Sequence, residues 1–253
     1  MDLHFECTQC GQCCHGLRLT LSVDEAIAWA DNGHCVEVLT EALPYHPDDH
    51  GETAQAGYDR SRSFPAVSGE MPLRIAAVLV AFHEGACPHL RPDMRCGNYA
   101  ARPRICRIYP LESRPFMNVS PERRLCPPEA WAPSNPCLMR GDHIADPALA
   151  EIVADHRRTL MDDVPVVASA CAALNISTAA FANEGFAVHQ PDGRYLSAEL
   201  KRAKSAQSGG PTPQPWTVVT NRESTRSLLV EAGCIASTTR RGPSYLGSFA
   251  DDV

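Results

Sequence analysis

The chain has 253 residues, 44% of them hydrophobic and 6% aromatic, with 21 prolines and a formal net charge of −7. That is enough apolar material for one large domain or two small ones, and the acidic balance gives nothing that favours nucleic acid as a general partner. No run of roughly 18 apolar residues exists, so no membrane-spanning helix is expected. Met1–Glu6 shows neither a basic nor an apolar leader segment, and a soluble cytoplasmic protein is expected. In a reducing compartment, twelve cysteines are metal ligands or redox thiols before they are disulfides.

In chain order, residues 1–21 read as a loop carrying Cys7, Cys10, Cys13 and Cys14. Ser22-Val23-Asp24-Glu25 has the form of a capping box, which predicts a helix from Val23 to about Asp31, closed by Gly33. Residues 44–72 are dense in proline, glycine, aspartate and serine and read as a long surface loop. Leu73–Phe82 is an apolar run containing Ile75, Val78, Val80 and Phe82. It predicts a buried strand, with a buried helix as the alternative, delivering the chain to Cys87. Residues 86–137 hold ten prolines, and little regular structure is expected beyond a helical turn at about Ala100–Cys106.

The pattern then changes. Asp146-Pro147 makes an N-cap and first-turn pair, and Ala148, Leu149, Ile152, Val153, His156 and Leu160 recur at helical spacing through Met161. Pro165 opens a second helix through about Leu174, and Ser177–Glu184 suggests a short third. Lys201–Pro215 reads as a flexible linker. Trp216–Thr220 reads as a strand, Asn221 as the cap of a helix through Ala232 with Gly233 as its stop, and Ile235–Thr239 as another strand. The expected fold class is α+β: an irregular cysteine-rich metal-binding domain (1–140) with few short strands, packed against a helical segment (141–200). A linker (201–215) and a small strand–helix–strand piece (216–253) follow.

The cysteines carry the chemistry. Cys7-Thr8-Gln9-Cys10-Gly11-Gln12-Cys13-Cys14 places three sulfurs at two-residue intervals on one winding loop, with Gly11 supplying backbone freedom. Such thiolates can face one centre, as at zinc or an iron–sulfur cluster. Side chains of neighbouring residues point apart in an extended backbone. Cys13 and Cys14 therefore do not easily bind the same metal atom, and Cys14 faces a second centre, the edge of a larger one, or remains a reactive thiol. Cys87, Cys96, Cys106 and Cys126 bring the total to eight. Eight thiolates can complete two four-coordinate sites, one cluster plus one zinc, or two clusters, and spacing does not say which sulfur joins which. Cys35, Cys171 and Cys234 stand alone in apolar or strand-like surroundings and read as small buried hydrophobes. Cys137 leans the same way.

Cys-x2-Cys-x2-Cys-Cys, then Cys87-x2-Leu90, Cys96-x2-Tyr99 and Arg102-Pro103-x2-Cys106-Arg107-x-Tyr109-Pro110, resembles the YkgJ-type cysteine-cluster (CxxCxxCC) family. That family is described as a zinc- or iron-chelating domain, and its members are often labelled iron–sulfur oxidoreductases. A related cysteine pattern occurs in the flagellin lysine N-methylase. The resemblance runs from Cys7 to about Cys126 and implies Cys7, Cys10, Cys13, Cys14, Cys87, Cys96, Cys106 and Cys126 as the ligands of an iron–sulfur cluster or zinc.

Other candidate groups lie near them in the sequence. His4, His15, His83 and His89 flank the cysteines, His15 most closely, and read first as hydrogen-bonding residues. His46-Pro47-Asp48-Asp49-His50 combines ligand chemistry with ordinary turn composition. Eight arginines between Arg91 and Arg124 oppose only Asp93, Glu112 and Glu122, and guanidinium groups near thiolates would stabilise their charge. Tyr99, Arg102, Arg107 and Tyr109 are candidates for hydrogen bonds to sulfur. No glycine-rich nucleotide loop follows a strand, and no Ser/His/Asp set can be assembled. The expected function is cysteine-ligated metal binding linked to redox chemistry or electron transfer, with an unknown protein or small-molecule partner. The alternatives are a non-enzymatic zinc or iron chelator and a protein-modifying enzyme similar to the lysine methylase.

Overall fold

The computed structural model describes residues 2–44, 53–206 and 214–252. In chain order its elements are β1 (Leu3–His4), β2 (Arg18–Thr20), α1 (Val23–Asp31), β3 (Val36–Pro44), α2 (Ala54–Ser61), β4 (Phe64–Ser68), β5 (Met71–Phe82), α3 (Arg104–Ile108), β6 (Cys137–Arg140) and β7 (His143–Ile144). They continue with α4 (Pro147–Asp162), α5 (Val164–Ala173), β8 (Thr178–Phe181), β9 (Gly185–His189), α6 (Gly193–Ser205), β10 (Thr217–Thr220), α7 (Glu223–Glu231), β11 (Ala236–Thr238) and β12 (Tyr245–Gly247). The fold is α+β. It forms two compact units that interleave in sequence: unit 1 is residues 1–21 with 81–159, and unit 2 is residues 22–80 with 160–253.

Unit 1 contains all eight of the ligand candidates. β1 lies antiparallel to β6, and β6 to β7. Its core is Ile108, Leu111, Leu138 and Val153, with Phe5, Trp131, Leu149 and Ile152 packed against them. The rings of Phe5 and Trp131 meet at 4.8 Å. Main-chain bonds from Phe5 N to Pro136 O (3.0 Å) and Glu6 N to Ala130 O (2.9 Å) fix the strand that leads into Cys7. Arg104 Nε pairs with Asp155 at 3.2 Å and ties α3 to α4, while Arg157 donates to the Ser113 carbonyl at 2.7 Å. Between Cys87 and Cys126 most of the chain is turns held by local hydrogen bonds, as its prolines led one to expect.

Unit 2 is built on a sheet in which β3, β8, β10 and β11 run parallel in the order β11-β10-β8-β3. β9 returns antiparallel to β3, β12 pairs with β9, and β4 pairs with β5 as a hairpin. Helix α6 packs between α1 and α5, burying Leu196, Leu200 and Ala203 with Ala26, Trp29, Val167 and Cys171. The predicted start of α1 is realised as a full capping box: Ser22 accepts from Glu25 N at 3.3 Å, and the Glu25 carboxylate accepts from Ser22 N at 2.9 Å.

Several expectations change. Ser177–Glu184, expected to be helical, contains strand β8, because the Thr-Ala-Ala-Phe run is gripped between β3 and β10 and tertiary pairing overrides the preference of alanine for helix. The expected surface loop 44–72 holds helix α2, capped by Thr53, and strand β4; His46–His50 lies outside the described residues. The start of the expected linker, Lys201–Ser205, completes α6, whose Leu200 and Ala203 are buried. Cys171 and Cys234 are buried as expected, whereas Cys35 is exposed, at the turn between α1 and β3.

One half-buried group in unit 2 gives a pH effect. His189 Nε2 lies 2.9 Å from Thr40 Oγ1 and 3.0 Å from the Thr178 carbonyl, and burial holds its pKa below the usual 6.5. The native state keeps this imidazole neutral, so unfolding takes up a proton once pH falls below 6.5. Stability therefore drops as pH falls from there to the lower native value. His189→Gln, which keeps a donor, should flatten that part of the melting-temperature profile.

Candidate metal centre

The geometry of the first cysteine loop follows from two left-handed residues. Gln9 has φ 55° and Gly11 has φ 71°, so the chain curls instead of extending through Cys7–Cys13. A 3-10 turn over Gln12–Cys14 follows, closed by Cys14 N donating to Gly11 O at 2.9 Å. The curl seats on the loop after Cys87: a Cβ on Gly11 would lie 2.7 Å from the Met94 carbonyl oxygen and 3.1 Å from Leu90 Cδ1.

The second loop is brought alongside by main-chain pairing. His15 pairs with Ala86, Gly16 N donates to Gly85 O at 2.9 Å, and Cys87 N donates to Cys14 O at 2.7 Å. The chain then doubles back. Leu90 pairs with Cys96, Arg91 N donates to Arg95 O at 2.9 Å, and Gly97 N donates to His89 O at 2.6 Å. Cys106 sits on α3, held in place because Ile108 two residues on is fully buried in the core.

The thiols interact directly. The Cys13 thiol donates to Cys14, which raises Cys13 and lowers Cys14; on this 3-10 turn the two side chains meet, where an extended backbone would have pointed them apart. Cys14 also lies in the field of Cys87, Cys106 and Cys96. Burial pushes Cys106 up to about 12, with Cys87, Cys13 and Cys96 adding to it. Burial likewise raises Cys87, which feels Cys96 and Cys13. It raises Cys126 too, which feels Cys13, Cys10 and Cys7. These influences link Cys7, Cys10, Cys13, Cys14, Cys87, Cys96, Cys106 and Cys126 to one another. No cysteine among the described residues is in a disulfide. Among the described residues no three His, Cys, Asp or Glu side chains already enclose an ion as placed. Closing a sphere of sulfurs at about 2.3 Å therefore requires the gathered thiols to turn inward.

The surrounding groups suit an anionic centre. Arg102 stacks its guanidinium on Tyr99 at 3.9 Å and pulls the pKa of Cys13 and Cys106 downward against the other influences on them. Its Nε is buried and, among the described residues, has no hydrogen-bond partner. A buried unpartnered N–H beside thiols fits an acceptor sulfur carrying negative charge. The Tyr109 hydroxyl accepts from Leu125 N at 3.0 Å and donates to Cys126, while burial raises the phenol to about 12. Arg107 is exposed. Of the histidines, His4, His15 and His83 place Nδ1 against main-chain carbonyls of Asn135, Gly11 and Gly85 at 2.7, 3.1 and 2.9 Å. What the sequence did not reveal is the seating of Gly11 against Met94 and Leu90, since no spacing rule encodes that contact.

Tyr109 gives a direct test of these outer contacts. Tyr109→Phe removes the donor to Cys126 and should weaken metal binding by about 10-fold, the lower end of what lost partners of ligands cost. Competition with a chromophoric chelator measures it.

An α+β fold that brings thiols from distant loops beside half-buried arginines is the setting of a cysteine-rich metal-binding protein. Residues 6–127 match the family model described as "CxxCxxCC: Putative zinc- or iron-chelating domain". The matched residues are those whose cysteine spacings resemble that family. No curated protein and no solved structure matches the chain. Among the described residues no helix is long and apolar enough to cross a membrane.

Proposed function

We propose that this protein holds an iron–sulfur cluster on its loop cysteines and serves redox chemistry or electron transfer. The observation that carries the reading is the meeting of eight thiols, from Cys7 to Cys126, with the buried, unpartnered Nε of Arg102. Three thiols at two-residue spacing on one curled loop suit the corner of a cluster. A bound cluster supplies one-electron transfer. The chain's own part is to fix four or more thiolates, to keep the Arg102 charge near Cys13 and Cys106, to set the Tyr109 hydroxyl on Cys126, and to shield Cys106 partly from water. Hydrogen bonds to sulfur and burial are the levers that set a cluster's potential.

Anaerobic purification tests this. The reading requires broad visible absorbance, iron, and acid-labile sulfide in matching amounts. A colourless protein with stoichiometric zinc would contradict it and would favour a closed chelating site, which leaves no coordination position for a substrate.

A further inference from the structure

We propose that the loop from Glu112 to Arg124 docks an acidic protein, with Phe116 and Met117 as its apolar contacts and Arg107, Arg114 and Arg123 as its cationic ones. The inference rests on the redox reading above in one respect: it takes the docked protein to be the electron donor or acceptor. It goes beyond that reading by naming the surface and the chemistry of what sits there.

The loop is closed at its base and pinned along its length. Arg124 pairs with Glu112, both half-buried, and lies over the Tyr109 ring at 5.7 Å. Leu125 N donates to the Tyr109 hydroxyl at 3.0 Å. The Ser113 carbonyl accepts from Arg157 at 2.7 Å, and Val119 packs against the core of unit 1. A compact surface loop whose ends meet holds its outward side chains in place.

What this loop holds outward is apolar and cationic. Phe116 and Met117 are 61% and 52% exposed, more than any other large apolar side chain described in unit 1. Phe116 has φ 67°, a left-handed backbone that a bulky residue adopts only at a cost. Two adjacent large apolar groups kept in water on a pinned loop fit a partner's surface. Around them the charge is positive. Arg107–Arg124 carries four arginines against Glu112 and Glu122, on a chain whose net charge is −7. Glu112 is taken up by Arg124, whereas Arg107, Arg114 and Arg123 are exposed.

Charge complementarity selects the occupant. Arginine, methionine and aromatic side chains are the types enriched where proteins meet, and a positive rim steers and orients a negative partner. Small, short-lived interfaces of this kind join redox proteins. The loop runs directly into Cys126, so a protein docked on it lies beside the thiols. Single-stranded nucleic acid would need a row of stacking aromatics, and Phe116 is the one aromatic between Glu112 and Arg124. Two apolar side chains are too few for a stable hold on lipid.

Fluorescence anisotropy of a labelled peptide of alternating glutamate and leucine tests this on the full chain, purified anaerobically, with metal content measured on the same sample and circular dichroism as a check on folding. The peptide should bind, and more weakly as salt rises. Arg107→Gln/Arg114→Gln/Arg123→Gln should weaken binding about ten-fold and flatten its salt dependence. Phe116→Ser/Met117→Ser should weaken it about ten-fold with the salt dependence kept. Arg194→Gln/Arg240→Gln, at exposed positions of unit 2, should change neither. No binding, binding indifferent to both loop variants, or tighter binding of single-stranded RNA or of vesicles of phosphatidylcholine with phosphatidylserine would overturn the docking surface, and an intact cluster in the same sample would leave the redox reading standing. The expected binding by a chain with no redox-active metal would keep the surface and remove its part in electron transfer.

Discussion

Removing the metal from the reduced protein with a chelator is expected to release the loops of unit 1 and to leave unit 2 folded. The reason is the imbalance between what holds each unit. Unit 1 has a small apolar core among its described residues, the cluster of Ile108, Leu111, Leu138 and Val153 with Leu21, Ala81 and Ala130 also buried, worth roughly 1.5–3 kcal/mol for each fully buried large side chain. Against it stands the ordering of the long irregular stretch from Cys87 to Cys137, at about 1–2 kcal/mol of backbone entropy per residue. Thiolate coordination, which contributes about 10–16 kcal/mol in small zinc domains, is the term large enough to offset that. Unit 2 has a parallel sheet and a helical layer with Leu196, Leu200, Trp216 and Ile75 almost wholly inaccessible. Hydrogen exchange should therefore rise on the order of a thousand-fold for amides such as Cys14, Cys87, Leu90 and Gly97. Those of β8, β10 and α6 should hardly change. Equal protection with and without metal would show that unit 1 stands by its own packing.

The second large effect is expected from Gly11→Ala. At φ 71° a side chain is strained, by about 1–3 kcal/mol. The new methyl would also lie 2.7 Å from the Met94 carbonyl oxygen, which belongs to a rigid backbone turn. Forcing that contact open adds roughly 1–3 kcal/mol. The displacement falls between the first cysteine loop and the loop that carries Cys87 and Cys96, so metal retention should fall together with thermal stability. Gly85→Ala is the control: it lies in the same region, has no heavy atom within 4 Å of the new methyl, and should behave as the unsubstituted protein. An unaffected Gly11→Ala would mean that the two loops do not depend on this seating.

Much of the site was legible because cysteine spacing is sparse and chemically specific. The nearness of the eight thiols, the turn at Gly11 and the bond from Tyr109 to Cys126 could be read from residue type and interval; Arg102 instead stacks on Tyr99, and Arg107 is exposed. Helices α4 and α5 were legible from periodicity and their first residues, and β10 and β11 from their short apolar runs; α7 was legible in extent, but Arg222 and not Asn221 is its cap, because the Asn221 amide donates to Phe249 O and Asp251. What escaped was long-range. β3 is buried along Val36–Thr40, with no alternation to betray it. Its partner β8 lies more than a hundred residues further on and shows only a Thr-Ala-Ala-Phe run. The interleaving of the two units has no local signal at all, because it is set by where the chain crosses near Leu21, Ala81 and Thr159.

Metal-edge X-ray absorption on anaerobically purified protein tests the central claim most directly. A metal in this neighbourhood must show a shell of about four sulfurs near 2.3 Å, lost when Cys13 and Cys14 are both replaced by serine. A bound metal ringed only by nitrogen and oxygen, or a sulfur shell unchanged by that double replacement, would contradict it.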